Sequence, residues 1–292
     1  MTDAYEKDDK QTPTRTICHE LGHEPGPESR RAAWCALAVI RFASLGSGSK
    51  GNALLVEAGR TRVLVDCGFG AREMASRLLR LGVEPTSIDA ILITHEHADH
   101  VGGAVPCAGR FGWAIHASHG TAAAARQLAA THVRRFDSHT AFAIGDLEIH
   151  PYPVPHDARE PTQFVFSDGA RRLGVLTDVG AITPHIVKML AACEALVLEC
   201  NHDAALLAKG RYPPQLKRRI AGEFGHLENQ AAAALLRTIG STRLQHVVAA
   251  HLSDENNTPA LARAALADAL GCAPDWIGIA DQAEGFGWRE LA

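Results

Sequence analysis

Asp89-Ala90-Ile91-Leu92-Ile93-Thr94-His95-Glu96-His97-Ala98-Asp99-His100 is the stretch that decides how this chain folds. Its first half is a short apolar run, the mark of a buried strand. Its second half packs three imidazoles and two carboxylates into Thr94 to His100. A strand that ends on such a cluster builds a metal site. Alternate residues of an extended chain project the same way, so His95 and His97 can grip one cation. If the chain then turns into a helix, Asp99 and His100 swing toward a second cation a few ångströms away. A surface loop that is merely polar rarely concentrates ligand-competent groups so densely.

Around this stretch, 292 residues are enough for one large core or two modest domains. Apolar residues make up 46% and charged residues 21%, with a formal net charge of -4. These are ordinary globular values, and no global basic excess advertises nucleic-acid binding. The seven cysteines include no CxxC, so neither a disulfide framework nor a cysteine zinc knuckle is indicated. Reduced, mostly buried thiols and a cytoplasmic location are expected. No apolar run approaches the ~18 residues that span a bilayer, so no membrane partner is expected.

Residues 1 to 37 are polar and aperiodic and read as a disordered leader, with residues 38 to 292 forming the folded domain. The leader holds a decoy. His19-Glu20-Leu21-Gly22-His23 fits the HExxH zinc-protease pattern, which works only on a helix. Gly22 inside the turn and Pro25 and Pro27 just after it argue against a helix there. Arg30-Arg31 faintly resembles a twin-arginine export signal, but the apolar stretch behind it is short and runs on into the first strand.

From residue 38 the pattern alternates. Strands are expected at Ala38 to Ser44, Ala53 to Ala58, Arg62 to Asp66, Ala90 to Thr94 and Trp113 to Ala117. More follow in Ala141 to Val154, Gln163 to Phe166, Arg172 to Leu176, Ala195 to Glu199 and Leu244 to Ala250. Trp276 to Ile279 and Phe286 to Glu290 can close a sheet. Helices are expected at Arg72 to Leu81, from Asp99, at Thr121 to Ala130, Pro184 to Ala192, Asp203 to Gly222, Glu228 to Ile239 and Pro259 to Leu270. Hairpins early in each half suggest two sheets packed face to face with helices outside.

Two cations need more ligands than the cluster supplies. His156, Asp178 and His251 each stand just past an apolar strand, where grafted sites usually sit. Singly each is a weak signal; together they complete a dinuclear centre. His95, His97 and His156 would hold one ion, Asp99, His100 and His251 the other, and Asp178 would bridge. Oxygen and imidazole ligation without thiolate suits Zn(II), Mn(II) or Fe(II). The expected cofactors are two divalent ions, zinc or manganese. Two such ions lower the pKa of a shared water toward neutrality, which makes a bridging hydroxide the expected nucleophile.

This constellation resembles the metallo-β-lactamase fold superfamily, whose metal motifs His95 to His100, His156, Asp178 and His251 match in order. The resemblance covers about residues 40 to 290 and implies an α/β fold, a four-layer αβ/βα sandwich with the site at one edge. It also implies that Asp66, in Leu64-Val65-Asp66-Cys67-Gly68, is a structural acid propping the metal-bearing loop. Five further stretches are similar to the YycJ/WalJ-type group: Ser44 to Asn52, Glu199 to Asp203, Tyr212 to Ile220, Gly225 to Asn229 and His251 to Asn257. That group implies metal-dependent DNA exonuclease activity and kinship in the core with tRNase Z. Glu228 stands where the group usually has Ser, and the leader is extra.

A phosphodiester needs an in-line nucleophile, charge neutralisation and a proton for the leaving alkoxide. The last favours a His, and His226 is the first candidate, similar to the His that tRNase Z-like enzymes hold beside the leaving group. Glu199 would orient it, His202 is a second candidate, and Asp99 completes the catalytic set. Lys217 and Arg218, in Lys217-Arg218-Arg219, are candidate phosphate contacts, because at most two of three adjacent helical residues can face a substrate. Ser49 and Asn52 of the glycine-rich turn are candidate substrate contacts. Aromatic residues are only 5%, and no interleaved basic-aromatic stripe marks a base-stacking platform.

A dinuclear metal-dependent phosphodiesterase, a DNA exonuclease with DNA as substrate, is therefore the expected function. The alternative is a hydrolase of a small-molecule ester, thioester or lactam at the same centre. A non-catalytic metal-binding protein is disfavoured because all seven ligands are present.

Overall fold

Ala90–Ile93 is apolar on both faces, as are several of its neighbours, and a sheet tolerates this only when both faces are covered. The computed structural model, which describes residues 39–240 and 242–292, covers them with helices on one side and a second sheet on the other. The expected leader, with the His19 to His23 pattern and Arg30-Arg31, lies outside the described residues.

The first sheet is built from β1 (Arg41–Gly46), β2 (Ala53–Ala58), β3 (Thr61–Val65), β4 (Ala90–Ile93), β5 (Ala114–Ser118) and β6 (Val133–Phe136), with β14 (Phe286–Glu290) added beside β1. β1 to β3 form an antiparallel meander, whereas β3 to β6 run parallel through helical crossovers. The second sheet contains β7 (Phe142–Ile144), β8 (Leu147–Pro153), β9 (Thr162–Ser167), β10 (Arg172–Leu176), β11 (Ala195–Glu199), β12 (His246–Ala250) and β13 (Gly278–Ile279). It repeats the plan: β7 to β10 are antiparallel and β10 to β13 parallel.

The period of two along each strand sorts side chains into layers. Ile91 and Ile93 pack outward with Met74 and Leu78 of the helix Ala71–Arg80. Leu92 faces inward with Val63, Phe164 and Val197, in a core shared by both sheets. Leu196 and Leu198 of β11 pack outward under Ile186, Leu235 and Leu266 of three helices. The result is the expected αβ/βα sandwich.

Some elements differ from their sequence expectation. The helical stretch expected from Asp203 to Gly222 consists of two helices, Ala204–Lys209 and Pro214–Ile220, because Gly210 leaves the first in extended conformation and Pro213-Pro214 opens the second. The helix expected from Thr121 to Ala130 spans only His119–Ala124, followed by a 3-10 turn at Arg126–Leu128. β6 is an additional strand: Arg134 and Arg135, exposed at a sheet edge, break its apolar pattern.

The turn after β3 is locked to the cluster-bearing segment by backbone hydrogen bonds. Cys67 N donates to His100 O at 2.7 Å, Gly68 N to Asn52 O at 3.0 Å, and Asn52 N to Asp99 O at 2.8 Å. A Cβ on Gly68 would collide with the Asp99 carbonyl. Gly68→Ala is therefore expected to cost about 1–3 kcal/mol through forced displacement. Urea unfolding midpoints of variant and parent measure it, and an unchanged midpoint would refute this tight approach.

Candidate metal centre

Parallel pairing brings strand ends to one edge. Val65 pairs with Leu92, so Asp66 and Thr94 emerge side by side. Leu176 pairs with Leu198 and Glu199 with Ala250, which sets Asp178, Glu199 and His251 together on the second sheet. His156 arrives from the turn between β8 and β9. Asp66, Asp178 and His251 all adopt left-handed backbone, with φ of 65°, 52° and 54°. Such conformations cost roughly 1–3 kcal/mol each in non-glycine residues and cluster where side chains must be aimed.

The aimed atoms converge. His97 Nδ1 lies 2.9 Å from His95 Nε2 and 3.4 Å from His156 Nε2. His100 Nε2 lies 3.4 Å from Asp99 Oδ2 and 3.3 Å from Asp178 Oδ2, and His251 Nε2 lies 3.8 Å from Asp99 Oδ2. Donor atoms of His95, His97 and His156 fall within 4.8 Å of one another, as do those of Asp99, His100 and His251, and those of His95, His100 and Asp178. All seven expected ligands are thus brought together, with Asp178 placed between the two histidine groups.

Surrounding hydrogen bonds decide which nitrogens remain available. His100 Nδ1 donates to Asp66 Oδ2 at 2.7 Å, which leaves Nε2 facing the cluster. His156 Nδ1 donates to Gly225 O at 3.0 Å, and His251 Nδ1 to Glu199 Oε1 at 3.0 Å. His95 Nδ1 lies 2.9 Å from Thr94 Oγ1, whose hydroxyl in turn reaches Asp66. Each ring is held by one nitrogen so that the other presents a lone pair inward, the arrangement that orients metal ligands. Asp178 Oδ2 and His251 Nε2 are buried without a hydrogen-bond partner. A divalent cation fits these residues: it takes lone pairs that have no proton donors to face.

Charge balance agrees. Burial alone would lower the His251 pKa, but Asp178, Asp99 and Glu199 raise it to about 10. Burial alone would raise that of Glu199, but the His226 charge and the hydrogen bonds from His226 and His251 hold it at about 2. The carboxylates thus draw positive charge onto a buried imidazole. A cation supplies the same charge without a proton.

Above the cluster opens a cavity of about 470 Å³, lined by Asp99, Asp178, His226 and His251 on its floor and by Ser49, Tyr212, Leu216, Arg219 and Leu252 on its walls. His226 Nδ1 is 2.9 Å from Glu199 Oε1, and Glu199 Oε2 accepts from the Val179 and Leu227 amides. His202 is placed elsewhere: it bridges to Glu228 as an isolated β-pair, is 2% exposed and does not line the cavity. Asn52 also sits beneath, with Nδ2 on Gly48 O at 3.0 Å and 3.1 Å from His100 Nε2. Lys217 and Arg218 do not line the cavity, and the Lys217 ammonium donates to Ala208 O at 2.7 Å. Arg219 does line it, with Nε donating to Asp157 Oδ2 at 2.6 Å. Asp157 and Arg219 are site residues that the sequence reading passed over. The signals were an acid beside the candidate ligand His156, and the phase of a helix that starts at Pro214.

Comparison with known proteins agrees with this geometry. A family model described as a β-lactamase superfamily domain matches residues 61–251. The exodeoxyribonuclease WalJ of Streptococcus pneumoniae is 31% identical over 247 residues, covering 82% of this chain and 91% of that protein. The exodeoxyribonuclease YycJ of Bacillus anthracis is 32% identical over 237 residues, covering 79% and 89%. The crystal structure of YhfI, a metallo-β-lactamase fold protein from Bacillus subtilis, superposes with a TM-score of 0.69 over 87% of this chain and 100% of that one, at 16% identity. This last likeness concerns the fold alone.

Asp66 is the acid on which the cluster leans. In Asp66→Asn the His100 Nδ1–H loses its carboxylate acceptor, and cation affinity is expected to fall about 10–100-fold. Isothermal titration with Zn(II) and Mn(II) reads the change, and equal affinity in variant and parent would refute the role.

Proposed function

The chain belongs to the metallo-β-lactamase fold superfamily, in the group of the WalJ and YycJ exodeoxyribonucleases, and from that premise we propose that it removes nucleotides from DNA ends. It is a metal-dependent hydrolase of the nuclease and phosphodiesterase kind. The observation that carries the finer reading is the convergence of seven candidate ligand side chains at a cavity whose floor holds His226 on Glu199.

In this reading His95, His97 and His156 would hold one divalent ion, zinc or manganese, and Asp99, His100 and His251 would hold a second, with Asp178 within reach of both sets. Ions bound there would supply Lewis-acid charge for phosphate oxygens and lower the pKa of water toward neutrality. The chain's own residues do the rest. Glu199 accepts from His226 Nδ1, so the proton for the leaving oxygen is carried on Nε2. The amides of Val179 and Leu227 fix the Glu199 carboxylate and therefore the ring. Asp99, a ligand that also lines the cavity, borders the substrate. The buried floor limits water around the reacting phosphate, which strengthens every charge interaction there. No helix among the described residues is long and apolar enough to cross a membrane. The described cysteines are unpaired, and the proposed compartment is the cytoplasm.

Purified protein with Mn(II) or Zn(II) is expected to shorten end-labelled linear duplexes and to stop when a chelator is added. Thioester or lactam hydrolysis with untouched DNA would select the small-molecule reading instead. Asp178→Ala is expected to abolish hydrolysis and reduce bound metal, as measured by elemental analysis. His226→Ala is expected to lower kcat by about 10²–10⁴-fold with metal content unchanged. Metal lost along with activity in His226→Ala would place His226 among the ligands.

A further inference from the structure

The cavity above the metal centre has two chemically different sides. Its floor is ionic, and two of the groups that line it, Asp178 and His251, are buried. One wall is apolar and aromatic: Tyr212, Leu216 and Ile220 line it together. Leu216 and Ile220 are one helical turn apart on Pro214–Ile220, and Arg219 belongs to the same face. Tyr212 stands just before that helix, held by the Pro213-Pro214 start. A site that bound only an inorganic or small polar phosphate would gain nothing from such a wall.

Arg219 sits at the rim, with its side chain 59% exposed and paired to Asp157. An exposed ion pair of this kind is cheap to break, and a guanidinium exchanges a carboxylate readily for a bidentate phosphate. The rim cation and the apolar wall are therefore placed side by side, as the phosphate and base of one nucleotide are.

We propose that Tyr212, with Leu216 and Ile220, seats the unpaired base of a terminal nucleotide while Arg219 takes an adjacent phosphate, so that the DNA end enters single-stranded. Within a duplex the base faces are covered by their stacked neighbours, and an aromatic wall can be used only by a base that has left the stack. The buried floor makes the same demand, since one strand reaches it more easily than two. This inference rests on the phosphodiesterase reading above and names the form of substrate that site takes.

The test uses the full-length protein loaded with Mn(II). Duplexes carry short overhangs at both ends, either with normal bases or with abasic terminal nucleotides, and Tyr212→Ala and Tyr212→Trp are compared with the parent. Tyr212→Ala is expected to raise KM for base-bearing overhangs roughly 10-fold more than for abasic ones, and Tyr212→Trp to restore the parental ratio. Equal effects on the two substrates, or a parent protein indifferent to loss of the terminal base, would overturn the inference and leave the nuclease reading standing. If the parent degrades none of these DNAs, the nuclease reading falls and takes the inference with it.

Discussion

Asp66, Asp178 and Glu199 are three carboxylates buried almost completely at one edge of two apolar sheets, and the rest of the site is arranged around them. An ionised carboxylate in such a place is tolerated only if paired and hydrogen-bonded. Asp66 is matched by His100 and by the Thr94 amide and hydroxyl. Glu199 is matched by two imidazoles and two amides. Asp178 is the exception, because one oxygen faces the cluster with no hydrogen-bond partner. The parallel halves of both sheets deliver these acids, and their histidine neighbours, to a common edge.

Much of this was legible in the sequence for a simple physical reason. Strands covered on both faces are continuously apolar, so the polar residues within two positions of each strand end are conspicuous. His95, Asp178 and His251 announced themselves in that way. The two-sheet layering was legible too, since hairpins open each half and helical crossovers close it. The remaining fine structure depended on phase. That at most two of Lys217, Arg218 and Arg219 can face a substrate was legible, but which of them does so was not: the packing of Pro214–Ile220 brings Arg219 to the cavity and leaves Lys217 and Arg218 off it. His202 stands three residues after Glu199, but its bridge to Glu228 draws it into the interior. β6 was hidden because an edge strand with Arg134 and Arg135 does not look apolar.

The left-handed backbone at Asp66, Asp178 and His251 had no signature in the sequence, because Asp and His adopt it more often than most residues but far less often than glycine. Its occurrence at three strand ends shows how the edge is organised. Each chain turns sharply as it leaves its sheet, and the side chain at the turn is thrown sideways into the cluster. Strain of this kind is sustained by the packed strands behind it.

The candidate ligands come from both halves of the sandwich. His95, His97, Asp99 and His100 follow β4 of the first sheet, while His156, Asp178 and His251 follow strands of the second. A cation held there would act as a rivet across the seam between the sheets. Occupancy and sheet alignment are then linked equilibria: whatever slides one sheet on the other weakens the grip, and whatever tightens the grip stiffens the seam. Side chains deep in the shared core, such as Phe164 and Val197, thereby acquire influence over ions they never touch.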